Sequence, residues 1–372
     1  MYRPEPAGRT SLLITGRRIR RVGDLDLEPL LSCGLEVERL DARGCLVVPA
    51  LIDVHEHLIG GSGESGGFST QTPEIYAEEI LTAGIATVVG CLGTDTVTKT
   101  MPALLGKVKG LRELGLSAFL YTGGYTVPPA TLTGSVRTDI LFIEEAIGTG
   151  EVAISDRRSS APSVSDLARV VRDSYVAGML AGKAGVTHFH TGDEQSRLQP
   201  LRDLIEHHEI NPELLYPTHV ERNEQLFDEA VELTRRGATV DVDVVEEDLP
   251  KWLRRYVDSD ADPSRLTASS DAAITSPRTL LRQLIQCFDA GFPIERTLML
   301  TSTNPARVLK LRHKGTLRPE ADADILVLDR ASQTVRHLLA NGRVMVRDGQ
   351  VVGQARFLAE SNRKIELHGQ KN

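Results

Sequence analysis

Cysteine is scarce in this chain: four in 372 residues, at positions 33, 45, 91 and 287, with no Cys-x-x-Cys pair among them. That excludes a disulfide framework and a zinc knuckle, and leaves buried free thiols in a reducing cytoplasm as the reading. A basic excess is missing too, since 43 Lys and Arg stand against 51 Asp and Glu for a formal charge of −8. A surface built to grip phosphates shows the opposite bias, so no nucleic-acid partner is expected. No apolar run approaches membrane-spanning length, and the opening Met-Tyr-Arg-Pro-Glu-Pro lacks the basic-then-apolar order of a secretion signal. Nor does a Gly-x-Gly-x-x-Gly follow the first apolar run, which removes the main support for dinucleotide binding. What remains is 41% hydrophobic and 25% charged, an ordinary globular composition long enough for one large domain and a small one.

From residue 48 to about 310, short β-branched runs alternate with helix-like segments. The runs fall at 46–53, 85–90, 117–122, 151–155, 186–190, 214–219, 238–243 and 266–270, eight in all. Helical periodicity occupies 165–178, 198–208, 224–237 and 278–291, and another helix is expected to open at Thr72-Pro73 as N-cap and N1 and to close with Gly84. This alternation predicts an α/β fold, a (β/α)8 TIM barrel over residues 49–311, with an open doubly wound sheet as the alternative. The ends read as β structure. Residues 11–23 form a hairpin pattern with Gly16 near its turn, and 324–329, 335–339 and 344–352 are punctuated by Asn341-Gly342 and Asp348-Gly349. Residues 1–48 and 312–372 are therefore expected to pair into one small β-sandwich beside the barrel. The polar stretch 361–372 is expected to be disordered.

Chemistry concentrates at the ends of the apolar runs. His55-Glu-His57 follows the first of them, and residues two apart on a strand point the same way. Two imidazoles so placed converge on one point, as a cation such as Zn²⁺ requires. His190 ends Val-Thr-His-Phe-His, His219 ends Leu-Leu-Tyr-Pro-Thr-His, and Asp271 ends Leu-Thr-Ala-Ser-Ser-Asp. In a barrel these ends share one face, where the active site lies. His55, His57, Glu151, His190, His219 and Asp271 gather there and are enough to hold two divalent metals with a bridging water. Asp271 is the candidate to take that water's proton and deliver it to a leaving nitrogen.

The pattern resembles the β-aspartyl (isoaspartyl) dipeptidases of the amidohydrolase superfamily. The resemblance covers nearly the whole chain and is carried by 49–61, Gly90-Cys-Leu-Gly-Thr-Asp95, Thr122-Gly-Gly-Tyr-Thr-Val-Pro128, Ala153-Ile-Ser-Asp-Arg-Arg-Ser-Ser-Ala-Pro162, 185–193 and Pro217-Thr-His-Val-Glu-Arg-Asn223. It implies hydrolysis of dipeptides linked through the aspartyl side-chain carboxyl, with two Zn²⁺ per subunit. It further implies that Glu64 binds the substrate α-amino group, and that Thr94 and the backbone around Ser62 receive the aspartyl α-carboxylate. Tyr125 would donate to the scissile carbonyl oxygen, and Arg158 and Arg222 would clamp the C-terminal carboxylate. Thr275 stands where the family has a hydroxyl. A cytoplasmic homo-oligomer acting on a small dipeptide or amide, with no nucleic-acid or membrane partner, completes the expectation.

Two departures accompany the resemblance. The family bridges its metals with a carboxylated lysine, and here Glu151 occupies that position before Val-Ala-Ile-Ser-Asp. Both groups carry one negative charge on two oxygens, but Glu is shorter by roughly three covalent bonds, or ~3–4 Å. Strand 4 or the metals must shift to compensate, or the second metal binds more weakly. The stretch 246–263 is also short and acidic relative to the family. The alternatives are a cyclic amide hydrolase or N-acyl amino acid deacylase of the same superfamily, and a catalytically inactive binding homologue.

Overall fold

The computed structural model describes residues 1–61 and 66–353. Ser62 and Glu64 therefore lie outside the described residues, as does the stretch 361–372. The chain opens with a hairpin of β1 (Ser11–Thr15) and β2 (Arg18–Gly23), turning at Gly16 with φ 56°. β3 (Cys45–Pro49) follows and leads directly into the barrel strands. These are β4 (Leu51–Glu56), β5 (Ile85–Gly90), β6 (Ser117–Thr122), β7 (Ala146–Ile154), β8 (Val186–Thr191), β9 (Leu215–Thr218), β10 (Val240–Asp243) and β11 (Leu266–Ser269). β4 to β9 form one parallel sheet and β10–β11 a second, shorter one. Side chains and loops close the seams between them. Thr218 Oγ1 donates to Asp241 Oδ2 at 3.0 Å across β9 and β10, and the His57 N–H donates to Ala272 O at 2.9 Å where β11 returns to β4. The result is the expected α/β barrel order.

Beyond the barrel, β12 (Ile325–Asp329), β13 (Val335–Ala340), β14 (Arg343–Arg347) and β15 (Gln350–Val351) join β3 in an antiparallel sheet ordered β15-β14-β13-β12-β3. Its turns are Asn341-Gly342 and Asp348-Gly349, with all four residues at positive φ as tight hairpin turns demand. The β1–β2 hairpin packs on this sheet through Ile19, Leu12 and Ile14 against Ile325, Val327 and Leu339.

Three expectations are corrected. The run 46–53 is two strands: residues 45–49 pair with Ile325–Asp329, and the barrel begins at Leu51. Ala50, whose N–H goes to Asp324 O at 3.0 Å, is the handover. Both halves are buried, so nothing in the hydrophobic pattern marks the break. The helix expected from Thr72-Pro73 starts at Ala77 instead. Thr72 Oγ1 accepts from Gly61 N at 2.7 Å, and Ile75 N–H donates to Leu58 O at 3.1 Å. The would-be cap is thus used to tie down the loop after β4. Finally, Cys91 and Cys287 are buried, whereas Cys33 is exposed and Cys45 half-buried. No helix among the described residues is long and apolar enough to cross a membrane.

Candidate active site

Five barrel strands and the turns that follow them deliver polar side chains to the same place. Glu151 on β7 lies at the centre and is fully buried. Its Oε2 is 3.3 Å from His55 Nε2, 3.3 Å from His190 Nδ1 and 3.6 Å from His219 Nε2, while Oε1 is 3.5 Å from His57 Nε2. Asp271 Oδ1 caps the group, 3.3 Å from His55 Nε2 and 3.2 Å from His57 Nε2. His219 and Asp271 sit at φ 58° and 46°, left-handed conformations that non-glycine residues rarely adopt. Such strain costs on the order of 1–3 kcal/mol per residue and persists where the surroundings enforce it, commonly at functional sites. The six residues that converge come from five different strand ends.

A second layer holds the imidazoles. Asp243 Oδ2 accepts from His219 at Nδ1, 2.6 Å away, which turns Nε2 toward Glu151. Asp156 Oδ2 lies 3.0 Å from His190 Nε2, leaving Nδ1 on the Glu151 side. His55 Nδ1 meets His188 Nε2 at 3.2 Å, and Tyr121 and Tyr216 pack around the His188 ring with centroids at 4.9 Å. Carboxylates behind imidazoles in this way fix tautomer and raise ligand basicity at metal sites. Gly93 leaves the space that His57 needs, since a Cβ there would fall 2.9 Å from His57 Cε1.

The electrostatics call for a cation. Burial disfavours charge on His55 and His57, yet the Cys91 thiol and the nearby carboxylates outweigh it and push both imidazoles well above their ordinary pKa. Burial works against His219 likewise, but Asp243 and Glu151 raise its pKa to about 9. Glu151 is held well below the usual carboxylate range despite its burial, chiefly by His55, His190 and His219. His55 Nε2, Glu151 Oε1 and Asp271 Oδ1 are nonetheless buried without hydrogen-bond partners. Orphaned buried donors and acceptors are costly, and three aimed at one point fit an ion better than protons. Ligand atoms of His55, His57, Cys91 and Glu151 lie within 4.8 Å of one another, as do those of Glu151, His190 and His219. Glu151 belongs to both groups.

A cavity of about 130 Å³ opens onto this cluster, lined by His57, Tyr125, Arg158, His190, His219, Arg222, Asp271 and Thr275 among others. Tyr125 Oη is 2.7 Å from His190 Nδ1. Arg158 is gripped by both Asp156 oxygens at 2.9 and 2.7 Å, and Arg222 Nε donates to Thr191 O at 2.9 Å. Thr275 Oγ1 donates to Ser270 O at 3.4 Å. Thr94 is half-buried, one residue beyond the cavity-lining Gly93.

A model of the amidohydrolase family matches residues 218–354. The β-aspartyl dipeptidase of Fervidobacterium islandicum AW-1, solved in complex with a β-Asp-Leu dipeptide, is 36% identical. It superposes with a TM-score of 0.88 over 94% of this chain and 96% of its own. The chain belongs to the β-aspartyl dipeptidase family. It is accordingly a metal-dependent hydrolase of the amidohydrolase superfamily. A dihydroorotase of Lactobacillus gasseri is 25% identical over 86% of this chain and 85% of its own length. A D-hydantoinase from a Thermus species shares the fold at 14% identity, with a TM-score of 0.64 over 93% of this chain and 94% of its own.

Asp156, His188, Asp243 and Cys91 also stand against the cluster and are not singled out by the sequence pattern. Asp243 was visible as a polar residue ending the seventh apolar run. His188 stands two residues before His190, in the period that places both on one face. The other two carry no local signal.

Proposed function

We propose that this chain hydrolyses β-aspartyl dipeptides, with Glu151 shared between two divalent metals and Asp271 as general acid–base. The observation that carries the reading is the Glu151 carboxylate, 3.3–3.6 Å from four inward-facing imidazoles. The likeness to a dipeptidase solved with β-Asp-Leu supports the substrate class. The lost length of a carboxylated lysine is no obstacle, because β7 carries Glu151 far enough in to meet all four rings. His55, His57, Glu151, His190, His219 and Asp271 would hold the metals, which polarise a carbonyl and lower the pKa of water when bound.

The residues of the chain then divide the work. Asp271, its side chain 20% exposed at the cavity, takes the proton of the attacking water and returns it to the leaving nitrogen. Tyr125 stands at the wall with its hydroxyl beside His190, placed to donate to the developing oxyanion. Arg222 receives the C-terminal carboxylate, assisted by Arg158, whose guanidinium Asp156 already orients. Thr94 and the backbone around Ser62 are proposed for the aspartyl α-carboxylate and Glu64 for the α-amino group, while Thr275 supplies a hydroxyl at the cavity wall.

A cyclic amide substrate is the second reading, favoured by the 25% likeness to a dihydroorotase. Dihydroorotate carries a carboxylate of its own, so the cavity's guanidinium groups suit either substrate, and the 36% likeness to a dipeptidase solved with β-Asp-Leu puts the dipeptide first. Initial rates on β-Asp-Leu, α-linked Asp-Leu, β-Asp-Leu amide and dihydroorotate separate the readings. The proposal expects β-Asp-Leu to lead by at least tenfold, and a lead for dihydroorotate would replace it.

A further inference from the structure

Cys91 is a thiol among metal ligands. It follows β5, and its N–H donates to Glu56 O at 3.1 Å, which fixes it beside the end of β4 where His55 and His57 emerge. It is 1% exposed. Its Sγ lies 3.8 Å from His57 Nδ1 and shares the 4.8 Å cluster with ligand atoms of His55, His57 and Glu151. Atoms bound to one zinc at ~2.0–2.3 Å stand at most ~4.6 Å apart, so this group is close to coordination dimensions. An independent sign of a ligand is present in the same cluster: His55 Nε2 and Glu151 Oε1 are buried and make no hydrogen bond.

We propose that Cys91 is a thiolate ligand of the metal held by His55, His57 and Glu151, a seventh ligand beyond the four imidazoles and two carboxylates. This rests on the metallohydrolase reading above. The charge argument is direct. Two divalent cations bring four positive charges, and Glu151 and Asp271 offset only two of them. On binding, the S–H proton leaves to solvent and the sulfur supplies a third negative charge. A soft sulfur donor also suits a borderline-soft cation alongside imidazole nitrogens.

Cobalt(II) loading of the metal-free protein tests this without relying on turnover. In a Cys33→Ser/Cys45→Ser background, the near-ultraviolet spectrum should show a sulfur-to-cobalt charge-transfer band. Adding Cys91→Ser should abolish the band and weaken cobalt binding by about 10–100-fold. The proposal is overturned if the background protein binds cobalt with no such band, a result independent of whether Cys91→Ser folds. It is equally overturned if the band survives Cys91→Ser, or if Cys91 merely hydrogen-bonds His57 Nδ1 and the spectrum is purely nitrogen–oxygen in character. Hydrolysis of β-Asp-Leu by the zinc form of the same preparation is followed in parallel. Activity without the band rejects the thiolate alone, whereas the band without activity supports the thiolate and rejects the substrate assignment.

Discussion

Asp243→Asn should cost metal affinity while leaving the fold intact. Asp243 is 6% exposed, Oδ1 accepts the Val245 N–H at 2.9 Å, and Oδ2 is 2.6 Å from His219 Nδ1. Asparagine fits the same space. Its carbonyl oxygen keeps the Val245 contact, which turns its NH₂ toward His219 Nδ1. A donor there favours the tautomer protonated on Nε2, the nitrogen that must present a lone pair toward Glu151 and the cation. Loss of such an orienting partner typically costs 10–100-fold in metal affinity, about 1.4–2.7 kcal/mol. Chelator competition reads the affinity, elemental analysis reads the metal content, and a thermal melt of the metal-free form controls for folding. The metal-free protein offers a second readout. His219 keeps its proton up to about pH 9 against an ordinary 6.5, so this group's contribution to stability is complete below 6.5 and is lost as pH rises through 9. Asp243→Asn should flatten that part of the pH–stability profile. Unchanged metal affinity in a folded Asp243→Asn protein would show that Asp243 does not set the His219 tautomer.

Asp271→Asn should reduce kcat by about 10²–10⁴-fold with a native thermal midpoint, and a loss under about fivefold would remove Asp271 from proton transfer. Gly93→Ala places a methyl 2.9 Å from His57 Cε1, so the ring must give way. An activity loss of about tenfold to a hundredfold is expected with little change in stability, and wild-type kcat/KM would show that His57 tolerates displacement. Arg222→Ala should cost ~1.5–3 kcal/mol in kcat/KM on β-Asp-Leu and far less on its C-terminal amide. Equal losses on the two substrates would mean that Arg222 binds something other than that carboxylate.

Much of the barrel was legible because its signals are local. Apolar runs with polar ends mark the strands, and shared placement at those ends marks His55, His57, His190, His219 and Asp271. The handover at Ala50 was invisible, because a strand buried in one sheet and a strand buried in the next read as one hydrophobic run. The Thr72-Pro73 cap failed because Thr72's hydroxyl serves Gly61, a contact with a loop eleven residues away. Asp156 and Cys91 were missed for a related reason: their roles depend on which imidazole stands across the barrel, and no spacing in the sequence encodes that. Glu151 joined the ligand set as the carboxylate of the fourth apolar run, and the resemblance added only that it stands where the family places lysine. Its central position follows from the path of β7.

The central claim is a metal-dependent dipeptidase whose shared acidic ligand is built into the chain and needs no carboxylation. Its most direct test is the rate of β-Asp-Leu hydrolysis by metal-free protein reconstituted with Zn²⁺ in CO₂-free buffer. No turnover before zinc, full recovery on zinc alone and no further gain from bicarbonate are expected. An enzyme that stays silent until bicarbonate is added, or that never cleaves β-Asp-Leu at full metal loading, would contradict it.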